Sequence, residues 1–463
     1  MILSAACLFL ASAIGTLAIW RYSGLDRANP RWAAWLFAFG AGTPFGLGAT
    51  SILYWLASLL LPVPRFGLVI EVAALAWLIL ATWRERDPAT VPAAPRDRVS
   101  IAIVIVGLAL ALPMATAAMS LSWDGSPNGA WDAWSIWNLR AKFLAGGMAS
   151  RAWSAELAGT THPEYPLLLS SAVARCWVCG ANADPAVPAT IAYGYFLSLA
   201  AAAAGGLWLL RGPTSGLLAG LVLVCTPGLV AEVPAQYADI PIATYFLGAL
   251  LFVLLDRPVW AGVLAGFAAW TKDEGVLFCV VLLISVAVFR RASLGRLLLG
   301  LAPAAVLIAV FKIFLAPHIA SQFGAGMASR LFAPGRWALI AESLKSNFLA
   351  LGAGWYHPVL PLIAFAAGVR LRGDLPAERR LSLAVCGGLL AGFLLVLAGT
   401  PNDLQWQLGT ALGRLLVQWW PLAVAATIVS LKNADEILAI VTESAAAGSR
   451  TGIPQAKSRR GRK

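Results

Sequence analysis

The chain alternates long apolar runs with short polar turns, and the turns carry most of its charge. Runs of about 17–25 apolar residues are each long enough to cross a bilayer. They recur from residue 2 to residue 431 and are continuous rather than alternating with period two. That pattern predicts helices and argues against a β-barrel. The first runs are 2–20, 32–60, 67–83 and 101–121. The second contains GAGTPFGLG, where Pro and Gly predict a kink or a split. Later runs are 188–210, 214–230, 240–255, 259–270, 276–289, 297–315, 359–369, 381–397 and 408–431. Together they predict an all-α polytopic membrane protein with about 13 transmembrane helices, several shorter than a full span needs.

The first long interruption is 123–166, between the fourth run and the short apolar piece 166–178. It holds Asp124, Asp132, the basic pair Arg140 and Lys142, five Trp, and His162 with Glu164 between prolines. Within it, Trp134, Trp137, Ala141 and Leu144 share one face of a helix over 132–144. That spacing predicts a surface helix with its Trp at headgroup level. Asp132 then lies near the helix N-terminus, which favours a carboxylate.

Basic residues concentrate in turns, which orients the chain. Arg21, Arg27 and Arg31 lie in one turn, and Arg84, Arg86, Arg96 and Arg98 in a linker. Placing both inside puts 123–166 outside. Arg211 is also inside if 166–178 does not cross but forms a re-entrant or surface helix. Arg290, Arg291, Arg296, Arg370, Arg372, Arg379 and Arg380 then fall inside as well. Arg330, Arg336 and Lys345 run against this rule. The map leaves the N-terminus outside and a basic tail, KSRRGRK from Lys457, inside, where it suits anionic headgroups.

Composition narrows the classes. Of 463 residues, 60% are hydrophobic and 12% charged, and mean hydropathy is +0.77. Soluble domains carry roughly twice that charged share. The net charge of +12 sits in topology-setting turns and does not predict a nucleic-acid partner. The first run lacks a basic leader and reads as a membrane helix, not a cleaved signal. The six Cys predict no disulfide framework: Cys7, Cys225, Cys279 and Cys386 lie in apolar helices, and Cys176 and Cys179 form a solitary CxxC. His318 and His357 border helices and read as interface residues.

Four polar groups meet the outer face under this map: Asp124 with Asp132, His162 with Glu164, Glu232 with Asp239, and Asn402 with Asp403. Lys272, Asp273 and Glu274 add a fifth. Ionisable residues at membrane depth are costly, so they are paired or functional. Carboxylates beside cations suit an anionic lipid-linked substrate, with a carboxylate as general base and cations or a carboxylate-held metal on a leaving phosphate. Each residue also has a structural alternative. Asp132 and Asp239 would serve as helix caps, Lys272 would snorkel to a headgroup, and His162 and Glu164 would sit in a solvated turn. Arg414, about two turns into the last helix, needs a phosphate or carboxylate partner.

Several stretches taken in order resemble the GT-C superfamily of integral-membrane glycosyltransferases. They are WDAWSIWNLRAKFL, HPEYPLLLS, QYADIPIATYFLGAL, AAWTKDEGVLF and NDLQWQLGTALGRLLVQWWP. The likeness is to bacterial aminoarabinose transferases and protein O-mannosyltransferases. It covers about residues 100–431, with 1–99 a three-helix addition and 432–463 a cytoplasmic tail. The resemblance implies inverting transfer of a sugar from a polyprenyl-phosphate donor to a lipid, glycan or protein acceptor. The reaction would take place at the outer face of a bacterial inner membrane, often with a divalent metal such as Mg or Mn.

By the resemblance, Asp132 is the catalytic base and Asp239 positions the acceptor or a metal, with Asp124 an alternative to Asp132. The candidate substrate-binding residues are Asp124, Lys142, His162, Glu164, Tyr237, Lys272, Glu274 and Arg414, with Lys272 and Arg414 on the donor phosphate. Two features depart from the family: the first loop has no DxD or DD pair, and Gln407 stands where relatives tend to show His. A transporter or flippase of a lipid-linked saccharide is the alternative, although the two halves lack the repeat symmetry common in transporters.

Overall fold

The structure, a computed structural model, describes residues 2–28, 30–60, 66–84, 98–158, 161–317, 326–354 and 356–437. Residues 85–97 of the basic linker, His318 and the tail from 438 lie outside the described residues.

Apolar continuity produces helices throughout, and the described residues pair as strands only at isolated bridges. The chain opens with α1 (Ile2–Tyr22), α2 (Arg31–Leu60) and α3 (Phe66–Arg84). α4 (Arg98–Ser120) leads into the polar segment that holds α5 (Asn138–Ala145). Then come α6 (Leu168–Gly180), α7 (Ala186–Arg211), α8 (Pro213–Val224) and α9 (Pro227–Glu232). α10 (Asp239–Leu254), α11 (Pro258–Thr271), α12 (Asp273–Phe289) and α13 (Leu294–Val310) follow. The last are α14 (Met327–Leu331), α15 (Arg336–Leu349), α16 (Val359–Val369), α17 (Ala377–Gly399), α18 (Leu404–Gln407) and α19 (Gly413–Ser430). Pro213, Pro227 and Pro258 each open a helix, where a missing N–H is harmless.

Seven helical runs among the described residues are long and apolar enough to cross a membrane. They are α1, α2, residues Gly67–Arg84 of α3, α7, the run Arg291–Leu315, α17 and the run Leu404–Ser430. α8 with the stretch Pro227–Ala235, bent by 49°, would make an eighth. The apolar helices α6, α10, α11 and α16 are shorter. The chain is therefore an all-α protein with several helices of membrane-crossing length.

The expected split in α2 is absent, because the helix runs unbroken through Pro44. Its Gly face instead admits neighbours. A Cβ on Gly46 would lie 1.8 Å from the Ala11 carbonyl oxygen of α1, and one on Gly40 would lie 2.2 Å from the Ala202 nitrogen of α7. Small residues let helix backbones touch where no hydrophobic force drives them together.

The basic turns meet in space at one end. Arg257, between α10 and α11, donates to the Ser23 carbonyl after α1. Arg211 Nη2 donates to the Val429 carbonyl at 2.6 Å, and Arg290 pairs with Glu378 at 3.2 Å. So α7, not α6, carries the chain to the basic end. Arg330 and Arg336 had run against the orientation rule, and they have a local task. Their Nε groups donate to the Gly399 and Ala398 carbonyls at 2.7 and 2.6 Å. They thus satisfy the open carbonyls at the end of α17.

Two cysteine expectations change. Cys7 of α1 and Cys179 at the end of α6 form a disulfide, so Cys7 is more than a small apolar residue. The pairing joins positions 172 apart, a proximity that spacing could not reveal. Cys176, Cys225, Cys279 and Cys386 are free thiols. Close by, Glu71 of α3 and Arg175 of α6 form a fork-to-fork ion pair, each side chain 3% exposed. Arg175 Nη1 also donates to the Cys7 carbonyl at 3.1 Å, and Tyr54 of α2 donates to the Leu144 carbonyl at 3.2 Å. All three N-terminal helices thereby reach α6 or the polar segment before it.

The polar segment differs from a single surface helix. A π-helical turn, Ala133–Trp137, precedes α5. The wider turn rotates Trp134 away from the other three face residues. Trp137, Ala141 and Leu144 are buried, whereas Trp134 is exposed and meets exposed Trp131 at 4.4 Å between ring centroids.

Candidate functional site

Four separate parts of the chain deliver one charge cluster, buried at Asp239 and Lys272 and partly exposed at Asp132, Glu274 and Arg414. Asp239 opens α10 and is fully buried. Arg414 and Gln418, one turn apart on α19, both reach it. Arg414 Nε donates to Oδ2 at 2.8 Å, and Gln418 Nε2 donates to Oδ1 at 2.5 Å. Lys272, at the α11–α12 turn, approaches the same Oδ1 at 3.4 Å and pairs with Glu274 at 2.7 Å. Asp132 completes the set, with Oδ2 2.7 Å from Arg414 Nη1. Tyr237 lies under the guanidinium, its ring centroid 4.3 Å from Arg414 Cζ. Planar contact on one side and carboxylates at the edge suit guanidinium rather than ammonium.

The capping alternatives fail on geometry. Asp132 makes no side-chain cap bond, and Asp239 spends both oxygens on α19 and Lys272. Lys272 is 7% exposed, which excludes snorkelling. Burial opposes its charge, but Asp239 and Glu274 outweigh burial and hold its ammonium above the ordinary Lys range. Three polar atoms here are buried without a hydrogen-bond partner among the described residues: Arg414 Nη2, a donor, and Gln418 Oε1 and Glu232 Oε1, acceptors.

A second polar group lies alongside. His162 Nδ1 and Glu164 Oε1 are 2.8 Å apart, and the His162 ring stacks on Tyr165 at 4.5 Å. Burial raises the Glu164 carboxyl, but the His162 contact and Lys312 outweigh it and hold the group below its usual range. Lys312 itself pairs with Asp273 at 2.8 Å. Arg140, fully buried, ties this turn down. It donates to the Ala152 and Tyr165 carbonyls at 2.6 Å each and to Pro163 at 3.4 Å. Burial pushes its guanidinium down to about 9, still charged at neutral pH.

The structure thus joins Asp132, Asp239, Tyr237, Lys272, Glu274 and Arg414. Two other candidates stand apart: Asp124 and Lys142 are exposed, with no ion pair among the described residues. Asn402 and Asp403 also act locally. Asp403 caps α18 through the Trp406 N–H at 2.8 Å, and Asn402 donates to Gln407 at 3.0 Å. Gln418 was missed by sequence reasoning, although a polar residue four positions after Arg414 in an apolar helix was a usable signal. Arg140 was noted only as half of a basic pair.

The donor set does not fit the expected divalent metal. Among the described residues no group of three or more His, Cys, Asp or Glu is placed to hold one, and the two central carboxylates face a guanidinium.

Comparison with known proteins adds no relative: no family model matches the chain, and neither a curated protein nor a solved structure does. The class that fold and site define is an all-α protein with helices of membrane-crossing length and a partly buried Asp–Arg–Asp cluster.

Proposed function

We propose that the chain is a GT-C-like inverting glycosyltransferase of a bacterial inner membrane, with about 13 crossings and its site facing the periplasm. It takes a sugar from a polyprenyl-phosphate donor and gives it to an envelope lipid, glycan or protein. The observation that carries this reading is Arg414. Its Nε and Nη1 are held by Asp239 and Asp132, while Nη2 is buried and unpartnered. A fixed guanidinium with one unused donor suits a phosphate oxygen, and Lys272 adds a second cation for the charge that develops on the leaving phosphate. Asp239 sets the position of both cations. By the resemblance Asp132 is the base.

The transporter reading has one observation in its favour, the 49° bend between α8 and the stretch after it, since broken helices line many transport sites.

The test is sugar transfer by purified protein in lipid, with radiolabelled polyprenyl-phosphate sugars as donors and extracted envelope lipids as acceptors. A labelled product with wild type, lost in Asp239→Asn, supports the transferase. Donor movement across the bilayer without product supports the transporter.

A further inference from the structure

The cluster contains one carboxylate that the ion-pair network leaves unused. Glu232 ends α9, and its Oε1 is buried and accepts no hydrogen bond among the described residues. The stretch that carries it is tied to both sides of the cluster: Ala130 N–H, beside Asp132, donates to the Ala235 carbonyl at 3.0 Å, and Trp420 Nε1 of α19 donates to Thr226 Oγ1 at the start of α9 at 3.0 Å. Each of the other carboxylates here holds a cation, whereas Glu232 makes no ion pair among the described residues. Asp132 holds Arg414 at 2.7 Å, Asp239 holds Arg414 and Gln418, and Glu274 holds Lys272 at 2.7 Å. A carboxylate clamped on a guanidinium is held in place by that contact and is less free to turn toward an incoming proton. A neighbouring carboxylate with a free oxygen accepts one better.

Within the transferase reading, on which this rests, we infer that Glu232, not Asp132, takes the proton from the acceptor hydroxyl. The acceptor O–H proton passes to Glu232 Oε1. The electron pair it leaves on oxygen forms the bond to the anomeric carbon of the sugar. The bond from that carbon to the phosphate oxygen breaks, and its electron pair departs with the polyprenyl phosphate, held by Arg414 and Lys272. Asp132 is then a positioning residue that steadies Arg414 through Nη1.

The test compares purified wild type, Glu232→Gln, Glu232→Asp and Asp132→Asn in lipid. It measures transfer from the radiolabelled donor panel, and binding of sugar-free polyprenyl phosphate separately. Glu232→Gln is expected to lower kcat about 10²–10⁴-fold, the usual contribution of a general base. Its affinity for polyprenyl phosphate should stay unchanged, and the fall of kcat toward acid pH should vanish. Glu232→Asp should recover part of the rate. Asp132→Asn should weaken polyprenyl-phosphate binding yet keep the acid limb. Wild-type turnover or a wild-type acid limb in Glu232→Gln overturns the inference and leaves the transferase reading standing. Loss of polyprenyl-phosphate binding in Glu232→Gln also overturns it, because Glu232 is then structural. A wild type that transfers sugar from no donor overturns both.

Discussion

Asp239 and Arg414 form an ion pair at 2.8 Å across 175 positions of sequence. The pair couples the first turn of α10 to the first turn of α19, and Gln418 repeats the coupling one turn on. An ion pair with a fully buried carboxylate stabilises little overall, but losing Asp239 leaves two cations, Arg414 and Lys272, with one carboxylate each, Asp132 and Glu274.

Asp239→Ala should therefore cost up to about 3 kcal/mol, the low end of the range for breaking a buried pair, because each cation keeps a second carboxylate. Asp239→Asn, which keeps the shape and can still accept from Gln418, should cost less. Thermal unfolding in detergent checks the order, and equal melting temperatures for Asp239→Ala and wild type would refute it.

Glu71 and Arg175 offer the same physics without the chemistry. Glu71→Ala and Arg175→Ala should each destabilise by about 3–5 kcal/mol. The double change to Leu and Met should lose much less than the sum, since contacting partners are not additive. A double-mutant cycle on unfolding measures the coupling. A coupling near zero would mean that the pair does not hold α3 to α6.

The Cys7–Cys179 bond predicts a thiol count. Six Cys with one disulfide leave four thiols. Denatured, unreduced protein should take four maleimides, reduced protein six, and Cys7→Ser five before reduction. Mass spectrometry reads the count directly, and six without reduction would remove the bond from the account.

The His162–Glu164 turn should respond to acid. The Glu164 carboxyl is depressed in the fold, so its contribution is complete above the ordinary Glu value of about 4.3. It is lost as pH falls through the lower folded value. Intrinsic Trp fluorescence against pH should show this change in wild type and not in Glu164→Gln. Trp137, stacked on Tyr165 at 5.9 Å, is the reporter.

Replacing Arg414 with Lys should reduce sugar transfer more than it reduces stability. A single ammonium cannot hold Asp132 and Asp239 at a fixed fork and also lie flat on Tyr237. Transfer assays and unfolding on the same preparation separate the two effects, and a Lys variant with full transfer would count against the role of the guanidinium.

Much of the fold was legible in the chain because a bilayer span requires about 20 apolar residues, a length that seven helical runs reach and α6, α10, α11 and α16 do not. The basic turns could be sorted to one end because basic residues concentrate there, and Arg257, Arg211 and Arg290 contact the turn after α1, the last residues of α19 and the first turn of α17. Arg330 and Arg336 misread the rule because a guanidinium also caps helix carbonyls, a use that composition does not display. Asp124 and Lys142 looked like site residues only through their place in the polar segment. The π-helical turn at Ala133–Trp137 changes which side chains point inward, and period counting does not foresee it.

The sequence by itself determined that the chain is helical and apolar, and that Arg414, a charge inside an apolar helix, needed a partner, while it left capping open for Asp132 and Asp239 and snorkelling open for Lys272. Only the tertiary structure decided which partner each received. The network from Asp132 through Arg414 and Asp239 to Lys272 spans four separate segments. Cys7 with Cys179 and Glu71 with Arg175 are likewise remote pairs. Their closeness follows from how helices pack, and packing in lipid depends on small residues such as Gly40 and Gly46 whose contacts lie far along the chain. Glu232 belongs with these: a carboxylate in a loop by its sequence, and one without an ion-pair partner among the described residues only once the fold has assigned the cations elsewhere.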